Sequence, residues 1–350
     1  MGVKMRVILG IICVIFLANI AIAADNIDSH GVILVYHHVS TSTPPSTSIS
    51  PEDFRKHLDY LQQNDFSVIP LDQMLKTLQM GGQLPEKAIA ITFDDGYISI
   101  YDTAFPMLQS YGFPFTLFLS TGPIDRQQQN FMNWEQVKEM SEAGVIIANH
   151  MVEHPYMLDK DPEESEIQWL SRLENELLVA EKRIEQQTGQ SHRYLAYPFG
   201  EFNADIKTML EANGFVGLAQ NSGAIGVNSD FLSLPRFPLA SIYANLDTAK
   251  IKLDSKSFNV ELVQPQSPVT DIRNPSVTLK FNNGNYSLSQ IGCFANSKPL
   301  PMTWIDQDEG LLSIAPTDEY TGRRWRYLCT APVPGESRYY WYSIQWIKLN

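Results

Sequence analysis

Between about Gly31 and Leu246 the chain alternates short apolar runs with stretches of helical period, and this alternation limits the fold more than any other feature. Apolar runs fall at Val32–Tyr36, Ala88–Phe93, Phe115–Ser120, Val145–Asn149, Tyr194–Tyr197 and Phe215–Ala219. Amphipathic stretches separate them at Pro51–Gln63, Leu71–Leu78, Ile98–Tyr111, Trp134–Ala143, Glu163–Gln187 and Ala204–Asn213. Ser50 followed by Pro51, Glu52 and Asp53 is a helix start, and Gly112, Gly144 and Gly214 each follow a helical stretch, as C-terminal caps do. Strands alternating with helices predict an α/β fold built on a mostly parallel sheet, either open or closed into a barrel.

After about Lys250 the pattern changes. Residues 257–350 alternate at strand period, carry turn residues such as Asn282-Asn283-Gly284 and Pro332–Gly335, and have no long helical stretch. That predicts a second, all-β domain of sandwich type, and 350 residues are enough for both. At the other end, Lys4 and Arg6 precede an apolar run from Val7 to Ile20, then Ala21-Ile22-Ala23. This is the pattern of a cleaved signal peptide, too short for a span. The expected division is residues 1–23 signal peptide, 24–250 catalytic domain and 251–350 accessory domain. The mature chain is then expected to be exported, periplasmic or secreted, with no transmembrane span.

Charge and cysteine usage narrow the function. Net charge is −13, and losing residues 1–23, which hold two bases and no acid, takes it to −15. No cluster of Lys and Arg interleaved with aromatics appears, so a nucleic-acid partner is not expected. With Cys13 in the signal peptide, Cys293 and Cys329 are the two thiols left, and a disulfide between them is expected in an oxidising compartment.

Four motifs sit at the C-terminal ends of expected strands: Tyr36-His37-His38, Thr92-Phe93-Asp94-Asp95-Gly96, His150-Met151-Val152-Glu153-His154 and Tyr197-Pro198-Phe199-Gly200. In a parallel sheet those ends converge on one face, where active sites form. Singly, each has a plainer use: a tight turn, a helix cap, a core histidine. Together they hold what metal-assisted hydrolysis of an amide or ester needs. One carboxylate and two imidazoles make an open ligand set, and the metal lowers the pKa of a bound water. A second carboxylate takes a proton, and a further histidine supplies one to the leaving group.

These motifs resemble the polysaccharide deacetylase (NodB-homology) family, carbohydrate esterase family four, over about Gly31 to Leu239. The resemblance implies a distorted (β/α) barrel and a divalent metal, often zinc, held by Asp95, His150 and His154. It implies Asp94 as general base and the backbone amide of Phe199 as oxyanion donor. Val35-Tyr36-His37-His38-Val39 is similar to the permuted poly-β-1,6-N-acetylglucosamine deacetylase subgroup, which implies His37, ahead of His38, as general acid. Three departures stand out. Met151 replaces the usual Ser or Thr, Ala196 replaces an Arg that orients the base, and Leu234-Pro235-Arg236-Phe237 replaces the late Leu-x-x-His motif. Arg236 is the candidate for the missing charge near Asp94.

The expected activity is removal of N-acetyl groups from an N-acetylhexosamine polysaccharide, with release of acetate. The rivals are O-deacetylation of a glycan and a catalytically silent glycan-binding protein. The C-terminal aromatics, Trp304, Trp325, Tyr327 and the run Tyr339–Trp346, are expected to fill a sandwich core on alternate positions and to cover the domain interface on the others. Arg323, Arg324 and Arg326 form a basic spot that the sequence leaves unassigned.

Overall fold

The computed structural model describes Gly2 and residues 29–349. The expected signal peptide, with Cys13, lies outside the described residues apart from Gly2. Among the described residues no helix is long and apolar enough to cross a membrane.

Six parallel strands lie side by side in sequence order: His30–Tyr36, Ala88–Phe93, Phe115–Leu119, Ile146–Asn149, Tyr194–Ala196 and Val216–Leu218. Both faces are buried, which is why the strands read as continuous apolar runs. Alternate residues such as Leu34, Ile91 and Leu117 meet the helix Pro51–Gln63 and its neighbours, while Ile33, Ala90 and Phe118 join a second core with the helix Leu71–Gln79. Each Leu, Ile or Phe among them contributes roughly 1.5–3 kcal/mol on burial.

The sheet curls into a half-barrel. Its outer strands, His30–Tyr36 and Val216–Leu218, do not pair with each other; the segment 234–238 crosses the open side. Leu234 bridges Leu218, and Phe237–Pro238 runs parallel to Leu34–Val35. Arg236, midway along this crossing, is therefore carried into the barrel.

Three helical segments depart from the sequence expectation. Ile98–Tyr111 was expected as one helix, but a π turn occupies Ile100–Ala104 and the α-helix runs only over Phe105–Tyr111. Pro106 has no N–H to donate to the preceding turn, so the regular ladder breaks there. The expected helix at Glu163 begins at Glu166, where Ser165 and Gln168 form a reciprocal capping box. The helix Leu246–Leu253 was not expected; it buries few apolar positions, Ala249 and Leu253 among them, too few to mark a period.

The C-terminal region consists of two four-stranded sheets. One orders Val260–Gln264, Val277–Phe281, Leu311–Ile314 and Met302–Asp306; the other orders Lys298–Pro299, Gly292–Ala295, Arg324–Pro332 and Tyr339–Ile347. Leu279, Phe281, Leu312, Tyr327 and Trp346 form their core. Cys293 and Cys329 are disulfide-bonded across directly paired strand positions, 36 residues apart in sequence. Closing a loop of that length is worth about 4 kcal/mol through the unfolded state. Along Tyr339–Ile347 the expected alternation holds. Tyr340, Tyr342, Ile344 and Trp346 join the core, whereas Trp341 packs edge-on against Phe237 at the crossing segment.

Candidate functional site

The four motifs meet at the C-terminal ends of the parallel strands, in a cleft of about 840 Å³ whose lining includes His37, Asp95, His154 and Phe199. Adjacent residues of an extended chain point to opposite sides, and that geometry separates the paired aspartates. Asp94 turns into the barrel and Asp95 turns to the cleft, with its backbone in the left-handed region at φ 75°. Met151, His154 and Phe199 share this conformation, at φ 66°, 54° and 58°. Four non-glycine residues in a costly backbone region, gathered at one cleft, mark a place where packing enforces geometry.

Asp95, His150 and His154 bring one donor atom each to within 4.8 Å of one another. The Nδ1 of His150 lies 2.7 Å from the Ala196 carbonyl, which only accepts, so this nitrogen carries the proton. Nε2 of His150 faces Asp95 Oδ1 at 3.1 Å, with His154 Nε2 at 3.3 Å from the same oxygen; burial would lower the His150 imidazole, but the two aspartates beside it raise it. Both Asp95 Oδ1 and His150 Nε2 are buried without a hydrogen-bond partner. Ligand atoms that converge in this way suit a cation, which would take the place of the Nε2 proton of His150, and the one-carboxylate, two-imidazole set suits a divalent ion with open positions. Burial, then the neighbouring His150, lowers His154 to about 4, so its imidazole is neutral at pH 7. Burial alone would raise Asp95; the histidines around it outweigh that and hold it ionised.

The ligand loop is steadied without the hydroxyl that Met151 lacks. Asn149 Oδ1 accepts from the Met151 N–H at 2.8 Å, and its amide donates to Leu177 and Glu181. The Met151 side chain is fully buried against a core that includes Leu158 and Trp169.

Arg236 stands where the sequence suggested. Its two terminal nitrogens donate to the two oxygens of Asp94, each at 2.7 Å, and its Nε donates to the Ala219 carbonyl at 2.9 Å. Both side chains are wholly buried. Burial would raise the Asp94 carboxyl, but the guanidinium overrides it and holds Asp94 below the usual carboxylate range. Asp94 is thus an anion at neutral pH, and each oxygen keeps a second lone pair for a proton.

The other candidates divide cleanly. His37 lines the cleft. His38 does not: it stacks on Tyr97 at 3.7 Å, and its Nδ1 lies near the Ser99 hydroxyl. Phe199 stacks on Tyr156 at 3.7 Å and meets His154 edge-on at 4.4 Å. Its backbone N–H has no hydrogen-bond partner among the described residues. Gly200 follows it at φ 70°, where a Cβ would lie 2.8 Å from Gln220.

Sequence reasoning missed the residues that reach this loop from the C-terminal sheets. Arg324 donates to the Phe199 carbonyl at 2.5 Å, and Gln345 donates to the Gly200 carbonyl at 2.6 Å. Arg323 forms a two-pronged pair with the wholly buried Glu201 at 2.8 and 2.7 Å. Three consecutive loop residues are therefore gripped from a region more than 120 positions away. Arg324, Trp325 and Arg326 also line the cleft. The cluster Arg323-Arg324-Arg326 was the one sequence signal for this.

Comparison with known proteins agrees with this architecture. Residues 81–218 match the family model described as polysaccharide deacetylase. The chain is 26% identical over 205 residues to the putative polysaccharide deacetylase YxkH of Bacillus subtilis, covering 58% of this chain and 69% of that one. It is 26% identical over 194 residues to the poly-beta-1,6-N-acetyl-D-glucosamine N-deacetylase of Staphylococcus epidermidis, covering 54% and 67%. Among solved structures, IcaB from Ammonifex degensii superposes with a TM-score of 0.53 at 26% identity, covering 62% of this chain and 97% of that one. The Streptococcus pyogenes deacetylase PplD, solved in complex with acetate, shares the fold at a TM-score of 0.58 and 21% identity, covering 65% and 99%.

Proposed function

From the match of residues 81–218 to the polysaccharide deacetylase family model, we propose that the chain removes N-acetyl groups from an N-acetylhexosamine polysaccharide, releasing acetate. The observation that carries this is the trio Asp95, His150 and His154, whose ligand atoms converge with Asp95 Oδ1 and His150 Nε2 unpartnered, next to an ionised Asp94 buried in the half-barrel.

In this reading Asp95, His150 and His154 hold a divalent metal, zinc. When bound, it supplies a lowered water pKa and polarisation of the acetyl carbonyl. Asp94 accepts the proton of the attacking water, and Arg236 keeps that carboxylate ionised and aligned. The unpartnered Phe199 N–H donates to the developing oxyanion. His37 protonates the departing amine as the carbon–nitrogen bond breaks, leaving acetate and a free amino sugar. The polymer gains an ammonium at each site of reaction.

We assign residues 24–250 to the catalytic unit and 251–350 to the accessory β unit, and we place the enzyme outside the cytoplasm. The Cys293–Cys329 disulfide supports that location, because such bonds persist in oxidising compartments. The test is Asp94→Asn, with acetate release followed on N-acetylglucosamine oligomers and on an O-acetylated glycan. The expected result is full metal content and a rate lower by about 10²–10⁴ on the N-acetylated substrate. Wild-type turnover by this variant would overturn the assignment of the base, and release from the O-acetylated glycan alone would overturn the substrate.

A further inference from the structure

Among the described residues, three cationic side chains are buried, and two of them have a carboxylate: Arg236 meets Asp94, and Lys256 meets Glu336 at 3.6 Å. The third, Lys252, is 8% exposed and has none. Its ammonium makes no hydrogen bond or ion pair with any described residue; what it meets is the face of Tyr243, 4.3 Å from the ring centre. An unpaired buried charge is expensive, and in a chain with 39 acids and 26 bases a counter-charge is easy to supply. None is supplied here.

Lys252 faces a cavity of about 330 Å³ whose lining includes Ser222, Tyr243, Ser297 and Arg326. Arg326 is exposed and also lacks a carboxylate or hydrogen-bond partner among the described residues. The cavity adjoins the catalytic cleft, since Pro238, Tyr243 and Arg326 line both. Arg324, on the cleft side, adds a third positive charge. Two cations without counter-ions, one of them buried, thus flank a hydroxyl-lined cavity that opens beside the reaction site. Burial, followed by the charge of Arg326, lowers Lys252 to about 8, so it still carries its proton at pH 7.

We propose that this cavity is a subsite for an anionic substituent, a carboxylate or phosphate, borne by the glycan strand in the cleft. Lys252 and Arg326 hold the anion, and the preferred substrate is an acidic N-acetylated polysaccharide rather than a neutral one. The proposal rests on the glycan reading of the cleft and adds a charge requirement to it.

The test compares two N-acetylglucosamine oligomers of equal length, one neutral and one carrying a uronate, by equilibrium titration calorimetry on the full mature chain. Binding is read apart from turnover, so absence of acetate release would count against the deacetylase reading and not against the subsite. The wild type is expected to bind the acidic oligomer about tenfold tighter or more, the scale of one charge-assisted contact. High salt should shrink that ratio. Lys252→Met and Arg326→Met should each bring it toward one, whereas Lys138→Met, an exposed cation elsewhere, should leave it unchanged. Thermal melting of each variant checks that it is folded. Equal affinity for both oligomers in the wild type, or a ratio that survives in the folded Lys252→Met and Arg326→Met variants, overturns the proposal. Inorganic phosphate titrated alone supplies the last arm: Lys252-dependent phosphate binding without any preference among oligomers assigns the site to a free anion and overturns the glycan-borne one.

Discussion

The two walls of the cleft are held by different means. On the ligand wall, Asp94, Asp95, His150 and His154 are fixed by the half-barrel itself, through strand ends, the Ala196 carbonyl and the Asp94–Arg236 pair. On the adjoining wall, the Phe199 loop is gripped by Arg323, Arg324 and Gln345 from the C-terminal sheets. Each wall contains one two-pronged arginine–carboxylate pair with a wholly buried carboxylate, Asp94–Arg236 in one and Glu201–Arg323 in the other. The first stays within the half-barrel. The second ties the half-barrel to the C-terminal sheets. The candidate metal ligands are thus held by the half-barrel alone, whereas the loop that carries the proposed oxyanion donor depends on both regions.

Substitutions in the two pairs should therefore separate. Arg236→Met is expected to be the most damaging, because it strands a buried carboxylate: about 3–5 kcal/mol lost in denaturant unfolding and about 100-fold lost in acetate release. The double variant Asp94→Asn, Arg236→Met should recover much of the stability and none of the activity. Recovery of neither would show that the pair is not the source of the loss. Arg323→Met should have a smaller effect, because Arg324 Nε remains 3.7 Å from Glu201 as a counter-charge: a kcat reduced by about tenfold with full metal content and little change in KM, since it loosens the proposed oxyanion donor and does not remove it. A drop in metal content for Arg323→Met would erase the distinction between the walls.

A separate, pH-dependent effect concerns the segment that leaves the half-barrel. His57 is buried, with Nε2 on the Ala244 carbonyl at 2.8 Å and Nδ1 on the Tyr36 hydroxyl at 3.0 Å. Burial lowers it from 6.5 to about 4, so below pH 6.5 the unfolded chain takes up a proton that the folded chain refuses. Stability should thus fall between pH 6.5 and 4, by up to about 3 kcal/mol from this group. His57→Gln should flatten that part of the urea-midpoint profile; an unchanged slope would remove His57 as its cause.

Much of the ligand wall was legible in the sequence because its residues follow strands whose apolar runs are unmistakable. Ala88–Phe93 and Pro51–Gln63 have the bounds read from the sequence, since each has a sharp boundary signal. Arg236 was legible only as a substitute for a missing charge; that it sits across the open side of the barrel depends on pairings at both ends of its segment. The oxyanion wall was not legible. Glu201 and Arg323 are 122 positions apart, and no local pattern ties a loop carboxylate to an arginine at the edge of a distant sheet. The aromatic run Tyr339–Trp346 was half legible: its alternation gives the core face, while the partner of the other face, Phe237 against Trp341, follows from tertiary packing.

The central claim is that Asp95, His150 and His154 hold the ion on which deacetylation depends. Its most direct test is acetate release from N-acetylglucosamine oligomers by the mature protein stripped with chelator and then reloaded with zinc, with bound metal counted in parallel. One ion per chain, release only in the loaded state, and loss of both in Asp95→Ala are expected. A chain that binds its ion in stoichiometric amount and releases no acetate, or one that releases it equally well after stripping, would contradict it.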